Sequence, residues 1–181
     1  MNTDKLTGMN IRKATLDDAC AVCNIYNHYI ENTAITFETV PISEVEARKR
    51  INDVINSGHS FYIGEIDNKI IGFYHTKRWN NRCAYATTIE ESIYLDKDET
   101  SKGYGTLLLE HLLKNIDKNT IHVLIAGICI PNESSVRLHE KFGFKQISYM
   151  KEIGRKFDQW RDVGHWQLIF EEQQNFKEFI H

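Results

Sequence analysis

The chain has 181 residues, of which 41% are hydrophobic and 26% charged, with a formal net charge of −3 and a pI of about 6.2. These are ordinary values for one globular domain with a sizeable core. They argue against a nucleic-acid binder, which carries a basic surplus, and no apolar run reaches the roughly 18–20 residues of a membrane span.

The opening MNTDKLTGMNIRKAT has no apolar h-region, so no secretory signal is expected and the cytoplasm is the default compartment. Residues 10–14 (NIRKA) read as a first strand. Thr15, with Asp18 three residues on, then reads as a helix N-cap with an acidic first turn. An apolar stripe through Leu16, Ala19, Cys20, Cys23, Ile25, Tyr26 and Tyr29 predicts the helix that follows. Within it, Cys20 and Cys23 form CAVC. No second CxxC or H-x₃₋₅-H completes a zinc site, so packing is the expected role and no metal is predicted.

A second helix is predicted from Ser43, with Glu46 completing a capping box, to near Gly58. FYIGEI and KIIGFYHTKRW read as a hairpin turning at Asp67–Asn68, and AYATTIEESIYL places a fourth strand over about 85–95. The turn TSKGYG (100–105) then leads into a leucine-rich helix over 104–117. IHVLIAGICI (121–130) is a near-continuous β-branched run, as expected of a strand covered on both faces. A helix over 132–142 begins at Asn132 and stops at Gly143, and strands near 144–153 and 163–170 close the list. The terminal EEQQNFKEFIH either frays or adds a short helix. The order β-α-α-β-β-β-α-β-α-β-β predicts a mixed α/β sheet with helices on both sides. A single domain spans 10–170, with terminal extensions at 1–9 and 171–181.

The two glycines of TSKGYG before a helix call for a ligand that approaches backbone closely, but neither G-x-x-x-x-G-K-[ST] nor G-x-G-x-x-G is present. The element order, however, is similar to that of the GNAT N-acetyltransferases. Their Q/R-x-x-G-x-G/A turn, between the fourth strand and third helix, cradles the pyrophosphate of acetyl-CoA. TSKGYG occupies that place, and NESSVRLHEKFGF (132–144) resembles the second GNAT signature. IYNHYIENTAITFET (25–39), RCAYATTIEESIYL (82–95) and FDQWRDVGHWQL (157–168) resemble, more specifically, the phosphinothricin and methionine-sulfoximine acetyltransferases.

The resemblance implies an acetyl-CoA-dependent N-acetyltransferase. Its acceptor would be the α-amine of a small amino-acid-like molecule, with direct transfer in a ternary complex. For the cofactor it implies Ser92, Ile93, Tyr94, Leu95, Thr100, Ser101, Lys102, Gly103, Tyr104, Gly105 and Asn132, although capping alone also accounts for Asn132. Thr100 and Ser101 stand where the family has Gln or Arg, which leaves Lys102 as the turn's only cation and a target whose loss should raise the acetyl-CoA KM.

Alternation in the fourth strand puts Thr88, Glu90, Ser92 and Tyr94 on one face and Ile89, Glu91, Ile93 and Leu95 on the other. Glu91 is thus the odd residue of an apolar file and needs a partner. The resemblance instead assigns the general base to Glu90, with a bulge in the strand as a feature that would blur the faces. His139 stands where many family members have an acidic tyrosine, as the proton donor or as a packed helix-face histidine.

Arg82 and Tyr85 match the family's acceptor-side R-x-x-Y, with Lys77 and Arg78 as neighbouring candidates. Phe37, Trp79 and Trp166 are pocket walls or plain core. Trp160 and Asp162 fall where the family forms a dimer contact, so the resemblance implies a homodimer. No cysteine has an evident base partner for covalent transfer. Another amine acceptor (a protein N-terminus or an antibiotic), or a non-catalytic acyl-CoA-binding module, are the competing readings. A groove or a strongly acidic pocket would mark the first of these.

Overall fold

The computed structural model describes residues 8–170. Its strands are β1 (Asn10–Lys13), β2 (Phe61–Ile66), β3 (Lys69–Arg78), β4 (Thr88–Leu95), β5 (Val123–Ile130), β6 (Lys145–Lys156) and β7 (Gln159–Ile169). Its α-helices are α1 (Ala19–Asn32), α2 (Glu44–Asn56), α3 (Tyr104–Asn115) and α4 (Glu133–Lys141). The sheet runs β1-β2-β3-β4-β5-β7-β6, antiparallel except for the central β4–β5 pair. The expected mixed α/β architecture and element order are therefore present.

Three of the four helix starts have a side-chain cause. Asp18 accepts from the Thr15 N–H at 2.7 Å, Ser43 Oγ accepts from the Glu46 N–H at 3.2 Å, and Asn132 Oδ1 accepts from the Ser135 N–H at 3.2 Å. The two faces of the sheet bury separate cores. Val22, Ile25, Ala47 and Ile51 of α1 and α2 pack with Phe61, Ile63 and Phe73, while Leu108, Leu109 and Leu112 of α3 pack with Tyr74, Ile89, Leu124 and Ile128. β3 supplies both cores through Phe73 and Tyr74, whereas β5 gives Leu124, Ala126 and Ile128 to the α3 core and also buries Ile125 and Cys129 on its other face, which explains its unbroken apolar run.

Three expectations change. β4 begins at Thr88, because residues 83–85 form a short 3-10 turn closed by Tyr85 N–H to Arg82 O and Ala86 N–H to Cys83 O. The last two strands are longer than expected and meet at Phe157 and Asp158, whose φ angles are 52° and 57°. A phenylalanine is an unusual occupant of that left-handed region, so the sequence carries no turn signal there. Of the CAVC pair, Cys23 is buried, with its Sγ 3.2 Å from Ile42 O, whereas Cys20 is exposed. The expectation for 171–181 lies outside the described residues.

Candidate active site

β4 and β5 pair only from Thr88–Glu91 to Val123–Ala126 and then part. β3 stays paired to β4 through Leu95, without the bulge that the sequence allowed, and β7 stays paired to β5 through Ile130. The sheet is therefore intact on either side of a central gap. The Asp96 N–H donates to Ile71 O, so alternate residues Tyr94, Ser92 and Glu90 turn their N–H groups toward β3. Ile93 and Leu95 consequently turn theirs into the gap. Two cavities meet there, of about 560 Å³ toward α3 and α4 and about 730 Å³ toward α1 and α2. Ile35, Ser92, Tyr94, Gly127 and Cys129 line both.

On the α3–α4 side the TSKGYG turn forms the rim. Ser101 has φ 61° and Gly103 φ 93°, a kink that starts α3 without a side-chain cap. Among the described residues, no hydrogen bond is donated by the N–H groups of Lys102, Gly103, Tyr104 or Gly105. Together with the helix dipole they make an anion cradle. A Cβ on Gly105 would only touch Leu138, at 3.4 Å, so packing between α3 and α4 does not by itself demand glycine there.

Of the residues that the resemblance assigns to the cofactor, Ser92, Ile93, Tyr94, Leu95, Thr100, Ser101, Gly103, Gly105 and Asn132 line this cavity. Lys102 and Tyr104 do not. The kinked backbone turns the Lys102 ammonium outward onto Glu99 at 2.9 Å, a correction to its expected place on the ligand side. The cavity's cations are instead Arg137 and Lys141 of α4. Their i,i+4 spacing was the signal available in the sequence.

The alternation along β4 separates its two acids. Glu90 faces the α1–α2 cavity, with Oε2 3.1 Å from Lys77 Nζ. Gly127 lies across the gap, where even a Cβ would stand at ordinary contact distance, 3.5 Å, from Glu90 Oε1. Glu91 lies on the other face, buried, and has the partner that its apolar file demanded: Oε1 is 2.6 Å from His139 Nε2. His139 donates from Nδ1 to Ser135 O at 2.7 Å, so both ring nitrogens are engaged. Burial lowers the His139 pKa, but the Glu91 carboxylate and then the Ser135 carbonyl outweigh it, and the net shift is upward. Of the two roles open to His139 in the sequence, the structure shows the packed one: its buried pair with Glu91 docks α4 on the sheet.

Of the acceptor-side candidates, Phe37 lines the α1–α2 cavity. Arg82 and Tyr85 are exposed on the 3-10 turn, and Trp79 stands behind the lining with its ring edge-on to His165 at 5.1 Å. Trp166 is core, its Nε1 3.2 Å from Glu140. Lys77 lines the cavity; Arg78 does not. Sequence reasoning missed Arg50, held by Glu38 at 2.6 and 3.1 Å and by Glu46 at 2.9 Å, and Tyr26, which donates to Glu38 at 2.9 Å. It also missed His75, where burial, then Lys77 and Arg50, push the pKa down to about 4, leaving a neutral imidazole. These residues come from three elements, and no local motif links them. Both signs of charge line the cavity, unlike the strongly acidic pocket of the competing reading.

Residues 11–166 match the model of the acetyltransferase (GNAT) domain family. A phosphinothricin N-acetyltransferase of Streptomyces viridochromogenes is 34% identical over 90% of this chain and 88% of its own. An L-methionine sulfoximine/L-methionine sulfone acetyltransferase of Salmonella typhimurium is 29% identical over 91% and 96%. Among solved structures, a GNAT-superfamily phosphinothricin acetyltransferase of Sinorhizobium meliloti, in complex with acetyl-CoA, superposes with a TM-score of 0.88 at 28% identity, covering 96% of each chain. The family match spans most of the chain, and the likeness to these enzymes extends along nearly its whole length: the chain belongs to the GNAT acetyltransferase family.

Proposed function

We propose that the protein transfers acetyl from acetyl-CoA to the α-amine of a small amino-acid-like acceptor of the phosphinothricin, methionine sulfoximine or methionine sulfone type. Transfer is direct, within a ternary complex. One observation carries this reading: two cavities on opposite faces of the sheet meet at the β4–β5 gap, with Glu90 on one side and the free N–H groups of the 100–105 turn on the other. The names of the relatives support the acceptor class.

When bound, acetyl-CoA supplies an activated thioester. The turn N–H groups and Asn132 fit its pyrophosphate end, and the Ile93 and Leu95 N–H groups offer donors where an acyl oxygen gains negative charge. Glu90 takes a proton from the acceptor's ammonium, which must be lost before the nitrogen is nucleophilic. Arg50 and Lys77 offer the charge that a carboxylate or an oxidised side-chain terminus requires. Cys129 borders both cavities, but burial pushes its thiol pKa up and among the described residues no base hydrogen-bonds to it, so it is unsuited to carry acetyl. Acetylation removes the ammonium charge by which a toxic analogue imitates an amino acid, and detoxification would follow. The β6–β7 hairpin leaves Ile147, Tyr149, Ile153, Phe157 and Trp160 exposed, which supports a homodimer through that edge.

A thiol-release assay across methionine sulfoximine, methionine sulfone, phosphinothricin and a peptide tests the acceptor class. CoA release with the amino-acid analogues alone is expected; release with the peptide alone sinks the reading. For the cofactor, Lys102→Ala is expected to leave the acetyl-CoA KM within about two-fold, because its exposed ion pair faces solvent. Arg137→Ala combined with Lys141→Ala should raise that KM several-fold, and more at low salt. The reverse ranking in initial-rate kinetics would return the phosphate contact to Lys102.

A further inference from the structure

Lys156, the last residue of β6, is 3% exposed, although a buried ammonium is costly. Its Nζ donates to Thr36 O at 2.8 Å and to Tyr29 O at 3.4 Å. Tyr29 O lies in the last turn of α1, where carbonyls carry the negative end of the helix dipole. Thr36 belongs to the irregular segment 33–43 that joins α1 to α2. This segment supplies Ile35, Thr36, Phe37 and Glu38 to the acceptor cavity.

The other ties on that stretch come from the helices. Tyr26 of α1 contacts the Thr36 hydroxyl and Glu38, Arg50 of α2 holds Glu38, and Asn27 brackets the Ile42 backbone. Among the described residues, Lys156 is the one side chain of the sheet that hydrogen-bonds to this segment. The same strand meets it a second time two residues earlier. The Phe37 ring lies so close over Gly154 that a Cβ there would clash with it.

We propose that Lys156 is a positioning residue for acceptor binding: it latches the α1–α2 segment onto the β6–β7 hairpin and so fixes the Ile35–Glu38 wall of the cavity. Which molecule feels the wall rests on the functional reading above, whereas the latch does not. Lys156 reaches neither the acceptor nor the cofactor. Its effect travels through the Thr36 carbonyl to the backbone on either side, and hence to Phe37.

Lys156→Met in the full-length chain keeps the apolar stem and removes the donor. Hydrogen exchange at amides 33–42 is expected to accelerate by about ten-fold or more, the scale of a lost charged hydrogen bond, with α2 and β4 unchanged. The acceptor KM should rise by about the same factor and kcat should fall less, while the acetyl-CoA Kd, read by titration calorimetry, stays within about two-fold. Lys156→Gln, which is shorter but keeps a donor, should fall between. If Lys156→Met does not fold, Gly154→Ala displaces Phe37 with Lys156 still in place and should raise the acceptor KM in the same direction. Unchanged exchange at 33–42 overturns the proposal, as does a uniform loss of protection in which both substrates weaken together. Wild-type enzyme that acetylates none of the analogues sinks the functional reading, and exchange at 33–42 then decides the latch by itself.

Discussion

Glu90→Gln is expected to lower kcat by about 10²–10⁴-fold, the range of a positioned general base. The substitution keeps shape and hydrogen-bonding capacity but cannot take up a proton. Glu90 lies one residue before the last position at which β4 pairs with β5, and of the two cavities it lines only the one toward α1 and α2. Lys77, 3.1 Å away, and the backbone bonds of β3 and β5 fix its place, so the variant should fold as the parent does and bind acetyl-CoA with unchanged affinity. On the proposed role of Glu90 the loss should fall on proton transfer, and the pH–rate profile separates it from misplacement. The variant should lose the parent's profile and gain rate toward alkali, as the acceptor's amine deprotonates unaided. A variant that keeps the parental profile at reduced amplitude would assign the base elsewhere.

The features that were legible in the sequence are those with local causes. Ser43 and Asn132 mark helix starts because a side-chain oxygen three residues before a free N–H caps it wherever the rest of the chain lies. Asp67 and Asn68 mark a hairpin because they tolerate φ angles of 49° and 61°. Alternation along β4 assigned Glu90 and Glu91 to opposite faces before either face had an identity, and it identified Glu91 as a carboxylate in need of a partner. It did not name His139, which lies 48 residues away and becomes a neighbour only when α4 folds back over the sheet.

The parting of β4 from β5 has no sequence signature, since it is a relation between strands whose own patterns continue unbroken. Lys102 illustrates the converse limit. Its position in the turn was readable, but its direction depends on the positive φ angles at Ser101 and Gly103 and on Glu99 within reach. Arg50, His75 and Tyr26 converge from α2, β3 and α1, so their grouping belongs to the tertiary fold alone.

The pair that joins α4 to the sheet carries the largest expected change in stability. Glu91→Leu should destabilise the protein by about 3–5 kcal/mol, the cost of stranding one member of a buried ion pair. In a domain of this size that is a fall in Tm of roughly 6–20 °C. Glu91 and His139 side chains are 2% and 5% exposed, so neither has water to fall back on.

The loss should depend on pH with a definite sign. The folded His139 pKa lies above the ordinary 6.5, although burial opposes that shift. The stabilisation is therefore complete below about 6.5 and disappears as pH rises through the raised folded value. In Glu91→Leu the carboxylate no longer offsets burial, and the imidazole must shed its proton to fold. Urea denaturation at pH 5.5 and at pH 9 should accordingly show the larger difference between variant and parent at the lower value.

Replacing both residues, as in Glu91→Leu with His139→Leu, should restore most of the loss, because two matched apolar side chains leave no charge uncompensated. A single variant that loses less than about 1 kcal/mol, the scale of an exposed pair, would mean that the two groups are solvated and that α4 is held by Leu138, Phe144 and the Trp166–Glu140 bond instead. A large loss that is the same at both pH values would assign the effect to packing around Glu91 rather than to its charge.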